Sequence, residues 1–133
     1  MNRADVLRMW DYHCWANERI FAAAAQVTAE QLQTPTTGGQ GTLFNALLHL
    51  VDAQTVWRLR ATLTRELHDS DFCGAVTLAE LEAGAQREAQ LWRELLAGLS
   101  DEQLTTTFQY RITGQLVERA YDEVVYHLTN HAT

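Results

Sequence analysis

Apolar residues recur at intervals of three and four through four separate stretches of this chain. That spacing follows the 3.6-residue turn of an α-helix and constrains the fold more than any other feature. In the first stretch Val6, Leu7, Trp10, Cys14, Ile20, Phe21 and the run Ala22 to Ala25 follow it, with Asp11, Glu18 and Arg19 largely on other faces. A helix over about residues 3–27 is predicted. Thr42 is placed to cap a second, on which Phe44, Leu47, Leu48, Val51, Thr55 and Leu59 recur up to about Thr64. Thr77-Leu-Ala-Glu80 is a capping box that opens a third, with Leu78, Leu81, Ala85, Ala89, Trp92, Leu95 and Leu96 on one side and Gly98 as its stop. After Gly114, the residues Leu116, Val117, Ala120, Val124, His127, Leu128 and His131 predict a fourth helix that runs to the last residue.

The connections carry different signals. The single proline, Pro35, and the glycines that follow it make residues 33–41 a loop, and Glu66 to Val76 lacks periodicity and reads as a crossing between helices. Ser100-Asp-Glu-Gln103 is a second capping box, but the β-branched run from Thr105 to Thr113 prefers extended structure. A short turn of helix followed by an irregular or strand-like connection is expected there. Thr28-Ala-Glu-Gln-Leu32 echoes Ser100-Asp-Glu-Gln-Leu104, and Leu48-His49-Leu50 echoes Tyr126-His127-Leu128, which hints at two related helical hairpins. Four helices with one apolar side each predict an all-α fold, a four-helix bundle with long crossover connections, forming a single domain over residues 1–133.

Composition narrows the function. Ten arginines and no lysine face 17 acidic residues, a net charge of −7 with no basic cluster, so a binder of nucleic-acid backbones is disfavoured. The longest apolar stretch, Leu43 to Val51, is interrupted by Asn45 and His49 and falls far below the roughly 20 residues of a membrane span. The N-terminus enters an amphipathic pattern at once, without the apolar core of a signal peptide, and a cytoplasmic protein is expected. Cys14 and Cys73 have no C-x-x-C spacing and read as free thiols. The common phosphate-loop, dinucleotide and nucleophile-elbow motifs do not occur. His13 and Cys14, as sequence neighbours, point about 100° apart on a helix and do not form a nucleophile pair.

Histidines are the chemistry-bearing candidates. His127 and His131 lie one turn apart on one helical face, within reach of a common metal ion, and His49 enters from another helix. All three fall on or beside the apolar stripes. Three neutral nitrogens suit zinc, nickel or another late divalent metal with a position left for water or substrate. The same residues also suit hydrogen-bonded histidines of a helical core. Tyr12, Asn17 and Tyr121 are candidate polar handles in a cavity walled by the aromatic residues around His13.

The combination of Tyr12 and Trp15-Ala-Asn17, Leu47-Leu-His49 with Trp57 eight residues on, and His127-x-x-x-His131 resembles the DinB family of damage-inducible, YfiT-like metalloproteins over nearly the whole chain. The resemblance implies a four-helix bundle, often dimeric, holding a divalent metal on three histidines: one on the second helix and two, four residues apart, on the last. It also implies a role in stress response, and for some relatives a transferase or isomerase reaction that uses a low-molecular-weight thiol. The second-helix ligand falls on His49. The family pattern Asn-His-x-x-His-His-Arg-Gly-Gln begins at Asn130-His131, which makes His131 the first ligand of the pair and puts its partner beyond Thr133. His127 is then a neighbour one turn earlier or a substitute ligand. A fourth helix of about 27 Å against about 37 Å for the first also reads as one that stops short.

Two functional classes remain at this point. One is a metal-dependent transferase or hydrolase acting on a small molecule between helices, and the other is a non-catalytic dimerisation or binding module with structural histidines. A homodimer is expected in either case, through apolar surface around Trp10, Phe21 and Trp92.

Overall fold

The computed structural model describes residues 1–72 and 74–132. It is mostly helical, with a small two-stranded sheet. Helix α1 (Arg3–Ala24) starts under Asn2, whose side chain accepts the Asp5 backbone N–H. A four-residue helix, α2 (Ala29–Leu32), follows, and then α3 (Leu43–Thr62), capped by the Thr42 hydroxyl. A short 3₁₀ turn at Asp69–Asp71 lies in the crossing segment. Helix α4 (Leu78–Ala97) opens on the Thr77–Glu80 capping box and ends at Gly98. After α5 (Asp101–Thr105), strands β1 (Thr107–Ile112) and β2 (Gln115–Ala120) pair antiparallel, and α6 (Tyr121–His131) follows β2 directly. Helix α1 packs against α4 and α6, and α3 packs against the same two helices.

The fourth long helix differs most from expectation. Residues 115–120 are a strand, and the last helix begins at Tyr121 rather than Leu116. The reason is non-local. A lone strand at Thr107–Ile112 would leave backbone N–H and C=O groups unpaired, and the next segment is the one near enough to pair with them. Thr113 and Gly114 both adopt positive φ, 49° and 78°, which is the geometry of a tight two-residue hairpin turn. The register then sets Tyr110 opposite Val117 and Phe108 opposite Arg119, and Phe108 and Tyr110 are buried against the helices. An all-α fold is thereby corrected to a helical one with a hairpin. The two echoed segments, 28–32 and 100–104, share one local structure: each is a capping box that opens a short helix after a long one.

The core divides into two apolar clusters. One gathers Val6, Trp10, Trp92, Leu96, Val125 and Leu128 among others, and the second gathers Phe21, Phe44, Leu47, Val51, Leu81 and Ala85 among others. Between them, every buried polar residue of the described core falls on the same stretch of its helix: His13 and Asn17 on α1, Gln54 and Thr55 on α3, and Glu88 on α4. A polar layer thus crosses the waist of the core. Its one ion pair is the fork in which Arg58 Nε and Nη2 donate to Glu88 Oε2 and Oε1 at 2.7 and 2.9 Å. Trp92 Nε1 donates to the Gln54 carbonyl at 2.9 Å, and Trp10 Nε1 to the Ala89 carbonyl at 3.1 Å. Trp10, Phe21 and Trp92 are almost fully enclosed within the chain's own core, so the surplus aromatic surface expected around them does not exist. The exposed aromatic residues are Tyr12, Trp15 and Tyr126.

Candidate functional site

Helices α3 and α6 pack together, and their facing side chains bring His49 and His131 into contact across 82 residues of sequence. The two Nε2 atoms are 3.1 Å apart. His127, one turn before His131, has its ring centroid 5.7 Å from that of His131 and presents an edge to Trp57 at 5.8 Å. With Asp52, Ala53, Val56, Trp57 and Phe72, these three histidines line a cavity of about 380 Å³. All three are exposed at its mouth, whereas their place on or beside the apolar stripes had suggested burial. On α6 the inward side is taken by Val124, Val125 and Leu128, which leaves His127 and His131 at its edge.

Asp52 is the site residue that the sequence reading missed. It sits three residues after His49, on the same side of α3, and its Oδ1 is buried without a partner among the described residues. Burial raises the Asp52 carboxyl above its ordinary range, and the adjacent His49 works in the opposite direction. The i, i+3 spacing from a candidate ligand was the available signal. His131 titrates below its ordinary value, first through burial and then through the charges of His49 and His127. This favours the neutral imidazole, the form that can accept a hydrogen bond or bind a metal.

The other candidates fall elsewhere. His13 and Asn17 are buried in the waist, with His13 stacked on Trp10 at 4.6 Å and its Nε2 3.2 Å from Asn17 Nδ2. Tyr12 lies exposed against Trp15, and the Tyr121 hydroxyl reaches the Ala61 carbonyl at 3.5 Å. None of these lines the histidine cavity. Cys14 is a free thiol in a groove of about 50 Å³ between α1 and α4, and burial pushes its pKa up to about 11. Cys73 and the expected helix end at Thr133 lie outside the described residues.

With this geometry in hand, the sequence profile of the DinB superfamily matches residues 3–133, essentially the whole chain. The chain belongs to the DinB superfamily. A search of individually curated proteins returns no significant match. DinB proteins are generally metal-associated, so the donor set can be tested for fit. Two nitrogens bound to one tetrahedral zinc at about 2.05 Å lie about 3.4 Å apart, close to the observed 3.1 Å. Asp52 lines the same cavity, one of its carboxyl oxygens is buried without a partner among the described residues, and a carboxylate is a donor type that such a centre uses. Among the described residues no three His, Cys, Asp or Glu side chains converge tightly enough to close a metal site by themselves. The contacting pair His49 and His131 is thus a two-nitrogen donor set, with His127 one turn away and no third donor converging on it among the described residues.

Proposed function

We propose that the chain is a divalent-metal-dependent enzyme, a transferase or hydrolase that acts on a small molecule held in the histidine cavity. The observation that carries the reading is the approach of His49 and His131 at the mouth of a cavity large enough for a substrate. In this reading His49, His131 and His127 hold zinc or nickel, and Asp52 orients a histidine or completes the donor set. A bound divalent ion supplies Lewis acidity and makes a thiol or water held beside it a stronger nucleophile at neutral pH. The chain's own residues do the rest. Trp57 and Phe72 exclude water from one wall, and Val56 and Ala53 offer apolar contact to a carbon skeleton. A low-molecular-weight thiol is the co-substrate in the transferase version.

The same proposal takes α1, α3, α4 and α6 as a four-helix bundle in a single domain, working in the cytoplasm and in stress response. A second copy of the chain is the proposed partner for the exposed Tyr12–Trp15 pair, whose rings lie 5.8 Å apart. Light scattering at micromolar concentration should then give twice the chain mass. A second reading has its own observation: 3.1 Å between two ring nitrogens also suits a plain N–H···N hydrogen bond of a non-catalytic binding module. Elemental analysis of untagged protein separates the two. The enzyme reading expects about one zinc or nickel per chain and at least a tenfold loss in His49→Ala, while equal metal content in both proteins refutes it.

A further inference from the structure

The acidic residues outnumber the arginines, and several arginines are neutralised by them: Arg58 by Glu88, Arg65 by Asp71 and Arg93 by Asp11. Arg60 and Arg111 are different. Neither forms an ion pair or a hydrogen bond with a described residue, although both line one recess of about 200 Å³ with Val56, Leu67, Phe72 and Ile112. Val56 and Phe72 also line the histidine cavity, so the recess and that cavity share a wall. The recess also holds one acid, Glu66, whose Oε1 accepts the Gly114 N–H at 2.8 Å; set against two arginines it leaves the recess with a surplus of positive charge.

Arg60 is also held in place. Its guanidinium lies over the rings of both Trp57 and Tyr110, at 4.9 and 4.6 Å from their centroids. The two rings are inclined at 84° to each other, so the guanidinium sits in the corner between them, and its N–H groups have no protein acceptor among the described residues. A planar fork of donors beside aromatic rings and lacking a protein acceptor suits a two-oxygen anion such as a carboxylate or phosphate.

We propose that this recess binds the oxyanion end of the substrate, with Arg60 as the donor fork and Arg111 as a second positive charge. The inference rests on the reading of the histidine cavity as a substrate site and names the class that would fill it. His49 and Arg60 are 11 positions apart on α3, about 16 Å along the helix axis. The substrate is thus an elongated small molecule, anionic at one end, apolar in the middle where it meets Val56 and Phe72, and reactive at the end near the histidines.

The test uses the full chain, ¹⁵N-labelled, and follows the arginine Nε–H signals during titration with inorganic phosphate, with propionate and with neutral propionamide. Arg60→Gln removes the fork, Arg60→Lys keeps the charge without it, and thermal melts establish that both are folded. Phosphate, propionate or both should shift the Arg60 signal while propionamide does not. The shift by phosphate alone assigns a phosphate ester, and by propionate alone a carboxylate. Affinity should fall at least tenfold in Arg60→Gln and severalfold in Arg60→Lys. Equal binding by wild type and Arg60→Gln overturns the proposal, as does the absence of any Arg60 shift with either anion. His49→Ala serves as the separating control. Loss of anion binding in Arg60→Gln with metal content unchanged isolates the recess, whereas failure of the metal reading shows in His49→Ala and leaves the anion titration intact.

Discussion

Acidification should destabilise this protein through His13. The ring is 2% exposed, stacked on Trp10, and its Nδ1 has no partner among the described residues. Burial lowers its pKa from 6.5 to about 4 because the charged ring would lose its hydration without gaining a counter-charge. In the unfolded chain the same histidine takes up its proton near pH 6.5. Between pH 6.5 and 4 the unfolded state therefore binds more protons than the folded one, and stability rises with pH in that window. The contribution is present in full above pH 6.5, falls as pH drops towards 4, and changes no further below that. A difference of about 2.5 pKa units at 1.36 kcal/mol each corresponds to about 3 kcal/mol, or roughly a 10 °C change in Tm for a domain of this size. The assay is urea or thermal unfolding of wild type and His13→Gln from pH 7.5 to 4. Every other titratable group is common to both proteins, so the difference between the two curves carries the signal. That difference should move by about 3 kcal/mol in disfavour of wild type. Parallel curves, or an NMR titration of His13 centred near 6.5, would refute the reasoning.

Glu88→Leu strands the Arg58 guanidinium in the half-buried waist and should cost about 3 kcal/mol; adding Arg58→Met should recover most of that in urea melts. Thr113 is a β-branched residue at φ 49° in the hairpin turn, a position that suits asparagine better, and Thr113→Asn should stabilise by about 1 kcal/mol in the same assay.

Local signals were legible in the sequence and distant ones were not. Thr77 with Glu80, Thr42 and Gly98 each mark a helix end through hydrogen bonds made within four residues, and α3 and α4 begin and end close to where these residues put them. The strand at Gln115–Ala120 was hidden because Leu116, Val117 and Ala120 also fit a helical stripe, and only pairing with Thr107–Ile112 decides between the two. Thr-Gly is also a weaker turn signal than Asn-Gly. The histidines at 49, 127 and 131 stood out by residue type and spacing, but their exposure shows only once Val124, Val125 and Leu128 are seen to take the inward side of α6. Asp52 and Arg60 look like ordinary surface charges until the fold sets one against the cavity and the other over Trp57 and Tyr110. Periodicity records the waist residues His13, Gln54 and Glu88 as gaps in the stripes, and their common level in the core emerges only when three helices are aligned.

Strand β2 passes into α6 without a linker, at Ala120 and Tyr121. The hairpin is thus a ruler for the last helix: each rung of its ladder sets how far α6 advances along α3. A slip of β2 by two residues, the smallest that keeps Val117 on the same face as Tyr110, would carry α6 about 6.6 Å, roughly twice the gap that separates His131 from His49. The calibration of the histidine pair is therefore held at the Thr113–Gly114 turn, far along the chain from either imidazole. Substitutions that unsettle this turn should blur the His49–His131 spacing before they melt the helices.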